Sequence, residues 1–302
     1  MNTYRAHGKL LLTGEYLVLK GALALALPTR LGQTLTVEPM QAPSLQWDAY
    51  RPDGPWFSAT FHPATLAVLN TDDRPKADKL ATILKALREQ HSGAFEPGLR
   101  FETHLEFPTE WGLGSSSTLI SNLARWAGVN PYELLQSTLG GSGYDIACAT
   151  ADTPLFYRLE NGTPQVTPVA FDPPFADHLF LVYQGKKQHS SDEVKSFNRH
   201  WEHTDLTNEL QTVSALSAAL PTITYFEDFC TLLQVHEDLL SRCLGREPVQ
   251  RQFPGFDGVL KSLGAWGGDF LLAATEQPFE SVVAFFEPFG LDTVFRYHDI
   301  IL

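Results

Sequence analysis

The sequence predicts a two-domain protein of the α/β class, mixing strands and helices in both halves. Three observations lead there. The chain has 302 residues, 43% of them hydrophobic, which fits two cores better than one. Short apolar or alternating runs bounded by glycine and proline are interleaved with longer runs at helical spacing. At residues 108–126, PTEWGLGSSSTLISNLARW, a glycine-spaced turn leads straight into a helical pattern.

Taken in order, GKLLLTG, EYLVLKG and ALALALPTRLGQTLTVEP read as three strands over residues 8–37, punctuated by Gly14, Gly21, Pro28 and Gly32. Residues 41–63, rich in Pro, Asp, Gly and aromatics, read as a hairpin or an irregular surface excursion. Residues 75–90 place Leu80, Ile83, Leu84 and Leu87 on one helical face. Residues 99–107 alternate strictly: Leu99, Phe101, Leu105 and Phe107 on one side, Arg100, Glu102, His104 and Glu106 on the other. That is a strand with one wet face. A helix follows the turn, with Leu119, Ile120, Leu123, Ala124 and Ala127 at helical spacing, and a further short helix begins at Pro131. Residues 140–160 give a second glycine loop, then Asp145, then a strand PLFYRLE.

Proline, glycine and threonine thicken around 162–176, and the domain boundary is placed there, giving domains of 1–170 and 171–302. HLFLVYQ opens the second half as a buried strand, followed by a helix capped at Ser190 or Ser191. Residues 201–244 are helical with a break near Pro221. Residues 258–275 read as a helix end, a third glycine loop and a strand. A short helix, an extended segment and an apolar tail complete the chain.

No apolar run reaches the roughly 18–20 residues of a membrane span. Three scattered cysteines, Cys148, Cys230 and Cys243, suggest reduced thiols and a cytoplasmic protein. The net charge of −13 speaks against nucleic acid as a partner, but a small anionic substrate needs only a local cluster of cations and helix N-termini. The expected partners are therefore a small anionic molecule, no nucleic acid and no membrane; a homodimer is left open.

Gly112 and Gly114 let the backbone approach a ligand or take positive φ, and Ser115 to Thr118 can cap the helix behind them. A helix start of this kind favours phosphate. No Walker loop, HExxH, CxxC or GxSxG pattern occurs.

Three stretches remain: GKLLLTGEYLVL, then P-x-x-x-G-L-G-S-S, then K-x-x-G-A-x-G-G. In this order they resemble the GHMP kinase superfamily over the whole chain. GKLLLTGEYLVL, GSGYDIACA and GAWGGDF are similar to phosphomevalonate kinases, while ALALALPT is close to mevalonate kinases. His7 and Trp266 stand where the family has proline and a small residue, and Trp266 is expected to narrow the site or alter substrate choice.

The resemblance implies an S5-like N-terminal domain, a ferredoxin-like C-terminal domain, and ATP and Mg²⁺ as cofactors. It implies that Gly112, Leu113, Gly114, Ser115, Ser116 and Ser117 wrap the ATP phosphates. Asp145 and Lys9 match the catalytic aspartate and lysine. Ser116 matches a magnesium ligand. The family's second ligand, a glutamate, aligns with Leu134, with Glu133 one residue off. Glu15, Tyr16, Lys186, Lys187, Ser190, Ser191, Lys261, Gly264 and Gly267 match positions that meet the acceptor. The implied activity is transfer of the ATP γ-phosphoryl group to phosphomevalonate. The alternatives are mevalonate, a diphosphomevalonate decarboxylase, or a silent binding protein of the same fold.

Overall fold

The computed structural model describes residues 1–95, 98–185, 205–264, 266 and 269–302. The expected helix after the first strand of the second half, with Lys186, Lys187, Ser190 and Ser191, lies outside the described residues, as does Gly267. The described chain forms two compact units. The first comprises Met1–Gly8, Leu31–Thr109 and Leu113–Thr150; the second comprises Lys9–Arg30, Glu110–Gly112 and Ala151–Leu302. The division differs from a single cut near residue 170. Strands β1 (Asn2–Thr13) and β2 (Ala24–Pro39) each run from one unit into the other.

In the first unit the strand order is β5–β4–β3–β6–β2, with β3 Leu45–Arg51, β4 Gly54–Phe61, β5 Val68–Thr71 and β6 Leu99–Leu105. β3 and β4 form the hairpin. β3 and β6 run parallel and set Trp47 opposite Phe101, whose rings stack at 5.2 Å. Trp126 meets Phe101 edge-on at 5.0 Å. The alternation of β6 has its expected outcome: Leu99, Phe101, Thr103 and Leu105 are buried, and His104 faces water. Helix α1 (Arg74–Gln90) starts where Asp73 accepts a hydrogen bond from the Lys76 N–H at 3.0 Å, and buries Leu80, Ile83, Leu84 and Leu87. Each such side chain contributes about 1.5–3 kcal/mol on burial. Helices α2 (Ser115–Ala127), α3 (Pro131–Thr138) and α4 (Tyr144–Ala149) complete this unit.

In the second unit the first part of β2 pairs with β7 (Leu155–Glu160), and β7 with β8 (Thr163–Pro168). A separate antiparallel sheet has the order β10–β11–β9–β12, built from β9 Leu179–Tyr183, β10 Val259–Ser262, β11 Phe270–Ala274 and β12 Val294–Arg296. Helices α5 (Thr207–Ala219), α6 (Phe226–Leu244), α7 (Phe279–Phe286) and α8 (Tyr297–Ile300) follow the chain order. Among the described residues no helix is long and apolar enough to cross a membrane.

Two expected elements differ. EYLVLKG is not a strand: Leu17–Lys20 is a 3-10 helix. Tyr16, at φ 59°, turns the chain into it, and Gly21, at φ 92°, ends it with its N–H on the Val18 carbonyl. Residues 259–262 are not a helix end but strand β10, paired Val259 to Ala274 and Ser262 to Leu271. All four are buried, and a short run buried on both faces carries no period by which to tell strand from helix.

Candidate active site

β6 ends before Pro108, and a 3-10 turn (Thr109–Trp111) delivers the chain to Gly112 and Gly114, both in the left-handed region at φ 67° and 93°. Leu113 between them is buried. The serines do not cap α2, as the sequence allowed. Gly114 is itself the N-cap, without a side-chain cap, and Ser115, Ser116 and Ser117 occupy the first helical turn. Ser117 Oγ donates back to the Gly114 carbonyl at 2.9 Å. Thr118 Oγ1 donates to Gln33 Oε1 at 2.8 Å, and Asn122 Nδ2 donates to the Gln33 carbonyl at 2.9 Å. These buried bonds fix α2 on β2. Ser115 and Ser116 are left half-buried at the helix mouth.

Asp145 lies in the first turn of α4, behind the left-handed N-cap Gly143, and is half-buried. Its Oδ1 accepts from the Ile146 N–H at 3.0 Å, which fixes the carboxylate's direction. Tyr132 is near enough that the charge of Asp145, after burial and Cys148, helps push its hydroxyl up to about 12. Cys148 is buried. Leu134, where a glutamate was expected from the resemblance, is packed into the core, while Glu133 is exposed and accepts from Asn130 Nδ2 at 3.3 Å. Among the described residues no group of three or more His, Cys, Asp or Glu could hold a metal.

In the second unit Lys9 is half-buried on β1. The strand ends at Thr13, whose hydroxyl meets Ser217 Oγ at 2.7 Å and accepts from the Leu25 N–H at 3.1 Å. The Gly14 N–H donates to His236 Nε2 at 3.0 Å. Glu15 and Lys261 were expected to face an acceptor; they are instead buried, 2% and 0% exposed, and form an ion pair with each other. β10 is buried along its length, so a lysine on it needs an internal counter-charge. Lys261 Nζ also donates to the Ser262 carbonyl at 2.8 Å. Glu237, likewise buried, accepts from Ser262 Oγ, the Ser262 N–H and the Val249 N–H at 3.0, 3.1 and 3.0 Å. Burial raises Glu15 to about 7 in spite of Lys261, and burial with Lys261 nearby lowers His236 well below its ordinary value.

Trp266, expected to narrow the site, packs into a core cluster with Leu17, Leu239, Leu240 and Cys243. Its backbone N–H donates to the Tyr16 hydroxyl at 3.0 Å, so Tyr16 too is occupied within the fold. Asp269, at φ 54° and buried, was not among the candidates. A Cβ at residue 112 would collide with its carboxyl group, and one at Gly264 would lie 3.7 Å from its Oδ2. Glycine at 112 is thus required twice, by φ and by Asp269. Asp269 is visible in the sequence only as part of the third glycine stretch.

No family model matches the chain, and no curated protein matches it in sequence. Solved structures do. Streptococcus pneumoniae phosphomevalonate kinase, in complex with phosphomevalonate and AMPPNP, has a TM-score of 0.71 at 17% identity over 98% of this chain and 100% of that one. L. major mevalonate kinase, in complex with R-mevalonate, has 0.68 at 18% identity over 98% and 95%. Lactococcus lactis galactokinase, complexed with galactose, has 0.65 at 14% identity over 97% and 92%. The chain therefore has the fold that the order of its three glycine stretches implied.

Proposed function

We propose that the chain is an ATP- and magnesium-dependent small-molecule kinase that transfers the γ-phosphoryl group of ATP to a small anionic acceptor, phosphomevalonate first. The mouth of α2 carries this reading. Two left-handed glycines lead into a 13-residue helix that, among the described residues, has no side-chain cap, so its first N–H groups suit a ligand. Such a cradle suits phosphate oxygens. Bound magnesium would draw charge from the phosphate oxygens. The Ser116 hydroxyl fits as its protein ligand beside the nucleotide's own phosphates. Glu133, turned to Asn130, fits that role less well.

Asp145 is assigned the acceptor side. For an alcohol it takes or orients the proton. An acceptor phosphate, with its second pKa near 6, arrives mostly ionised, and Asp145 then orients it. Lys9 offsets charge on the transferred group. Lys186, Lys187, Ser190 and Ser191 keep their assignment to the acceptor from their place after β9 alone. The burial of Lys261 leaves that pair of lysines with a larger share of the charge.

The fold is shared by mevalonate kinase and galactokinase structures, so mevalonate is the second candidate acceptor. Decarboxylation of diphosphomevalonate is the third activity to test. Leu134 in the core, where the resemblance implies a glutamate, favours a fourth reading, a silent binding protein. A coupled ADP-release assay with mevalonate, phosphomevalonate, diphosphomevalonate, homoserine and galactose separates these. Turnover fastest with phosphomevalonate supports the reading, and no turnover with any of the five leaves the silent binding protein.

A further inference from the structure

We propose that Glu15 and Lys261 are positioning residues that couple the Gly14–Tyr16 turn to the start of the third glycine loop, so that the two segments move as one. Two bonds join them over long stretches of chain, and a third ties the turn to helix α6. The Gly14 N–H reaches His236 Nε2 at 3.0 Å, Lys261 Nζ reaches Glu15 Oε1, and the Trp266 N–H reaches the Tyr16 hydroxyl at 3.0 Å. The middle bond joins two side chains closed to water. It is also braced: Lys261 Nζ holds the Ser262 carbonyl, and Ser262 is held by Glu237 through both its N–H and its hydroxyl.

The turn needs bracing. Tyr16 sits at φ 59° and ψ −47°, a conformation that side chains other than glycine rarely adopt and that persists only where its surroundings impose it. A buried ion pair is weak grounds for stability, because an apolar pair of the same volume packs as well. What an apolar pair lacks is direction. The Lys261 ammonium fixes where Glu15, and hence Tyr16, must lie, and the Tyr16 hydroxyl fixes the Trp266 backbone. The consequence for turnover rests on the phosphotransfer reading, in which β1 with Lys9 leads into this turn and Gly264 follows β10. The coupling itself does not depend on it.

The test uses the full chain, as wild type, Glu15→Gln, Lys261→Met and the double variant Glu15→Gln/Lys261→Met. The single variants leave one charge or its partner unmatched and can fail to fold; the double variant carries no buried charge from the pair. Amide hydrogen exchange resolved by residue is read at Gly14 and Trp266, with β9 and β11 as internal controls. We expect both reporters to exchange at least about tenfold faster in the double variant, together, while β9 and β11 keep wild-type protection. Unchanged reporters, one reporter changing alone, or faster exchange throughout the sheet would each overturn the coupling. In turnover, kcat of the double variant should fall while KM for ATP stays close to wild type. An unchanged kcat overturns the positioning role. A wild-type protein that turns over no acceptor removes the phosphotransfer reading, and the exchange result then decides the coupling alone.

Discussion

Asp145 is held by its own helix start, with one carboxylate oxygen on the Ile146 N–H, and its role toward an acceptor is part of the proposal. Asp145→Asn keeps the shape and removes the charge. Turnover should fall by ~10²–10⁴-fold, while the melting temperature and the shift on adding Mg·ATP stay near wild type. Ser116 asks a different question, because it sits in the helix but does not cap it. Ser116→Ala should reduce the Mg·ATP-induced thermal shift with little change in the melting temperature of the free protein; an unchanged shift would remove Ser116 from the nucleotide site. At this scale the sequence was most legible where glycine spacing dictates backbone, as at Gly112, Gly114 and Gly143. It was least legible where a charged residue's partner lies far along the chain. Nothing near Lys261 says that Glu15, 246 residues away, neutralises it. A buried and a solvated lysine look alike in one sequence.

The strand end at Gly14, helix α6 and strand β10 meet in a buried polar cluster whose titration has opposite signs in two of its members. His236 is held below its ordinary 6.5 by burial and Lys261. Its contribution is present above that value and is lost as pH falls below it. Glu15 is raised from 4.5 to about 7, mainly by burial. Its contribution is fully present below 4.5 and is lost as pH rises through about 7. Denaturant unfolding at pH 5 and 7.5 should separate them. Relative to wild type, His236→Gln should lose less stability on going down to pH 5, and Glu15→Gln should lose less on going up to pH 7.5. Equal pH dependence in a variant and wild type would show that the group does not titrate with folding. Elements with a clear period, α1, α2 and β6, were readable in the sequence. The 3-10 helix Leu17–Lys20 was not, because Leu17, Val18 and Leu19 look like a strand and only the φ of Tyr16 turns them. β10 was missed for the complementary reason, a run too short and too buried to show alternation.

For the molecule as a whole, the sequence carried the mixture of strands and helices, and the order of three glycine stretches carried the fold that the solved kinase structures share. The division into units was not legible, because β1 and β2 belong to both and a sequence offers no sign that a strand continues past a unit's edge. The first unit's aromatic core gives a plain stability prediction. Phe101→Ala removes the partner of both Trp47 and Trp126 and should cost about 3–5 kcal/mol in denaturant unfolding. Charge acts at the same scale. A chain at −13 repels a multiply charged acceptor, so Lys186→Ala or Lys187→Ala should raise KM for phosphomevalonate more than for mevalonate. The difference should shrink in high salt, since exposed charges are screened beyond ~8–10 Å. The central claim is that a phosphoryl group passes from ATP to a small anionic acceptor. Phosphorus NMR of wild-type protein with Mg·ATP and phosphomevalonate follows that group directly. The expected result is loss of the ATP γ resonance with matched growth of ADP and of a new diphosphate on the acceptor. Free inorganic phosphate in place of the acceptor diphosphate, or an unchanged spectrum with every acceptor of the panel, would contradict it.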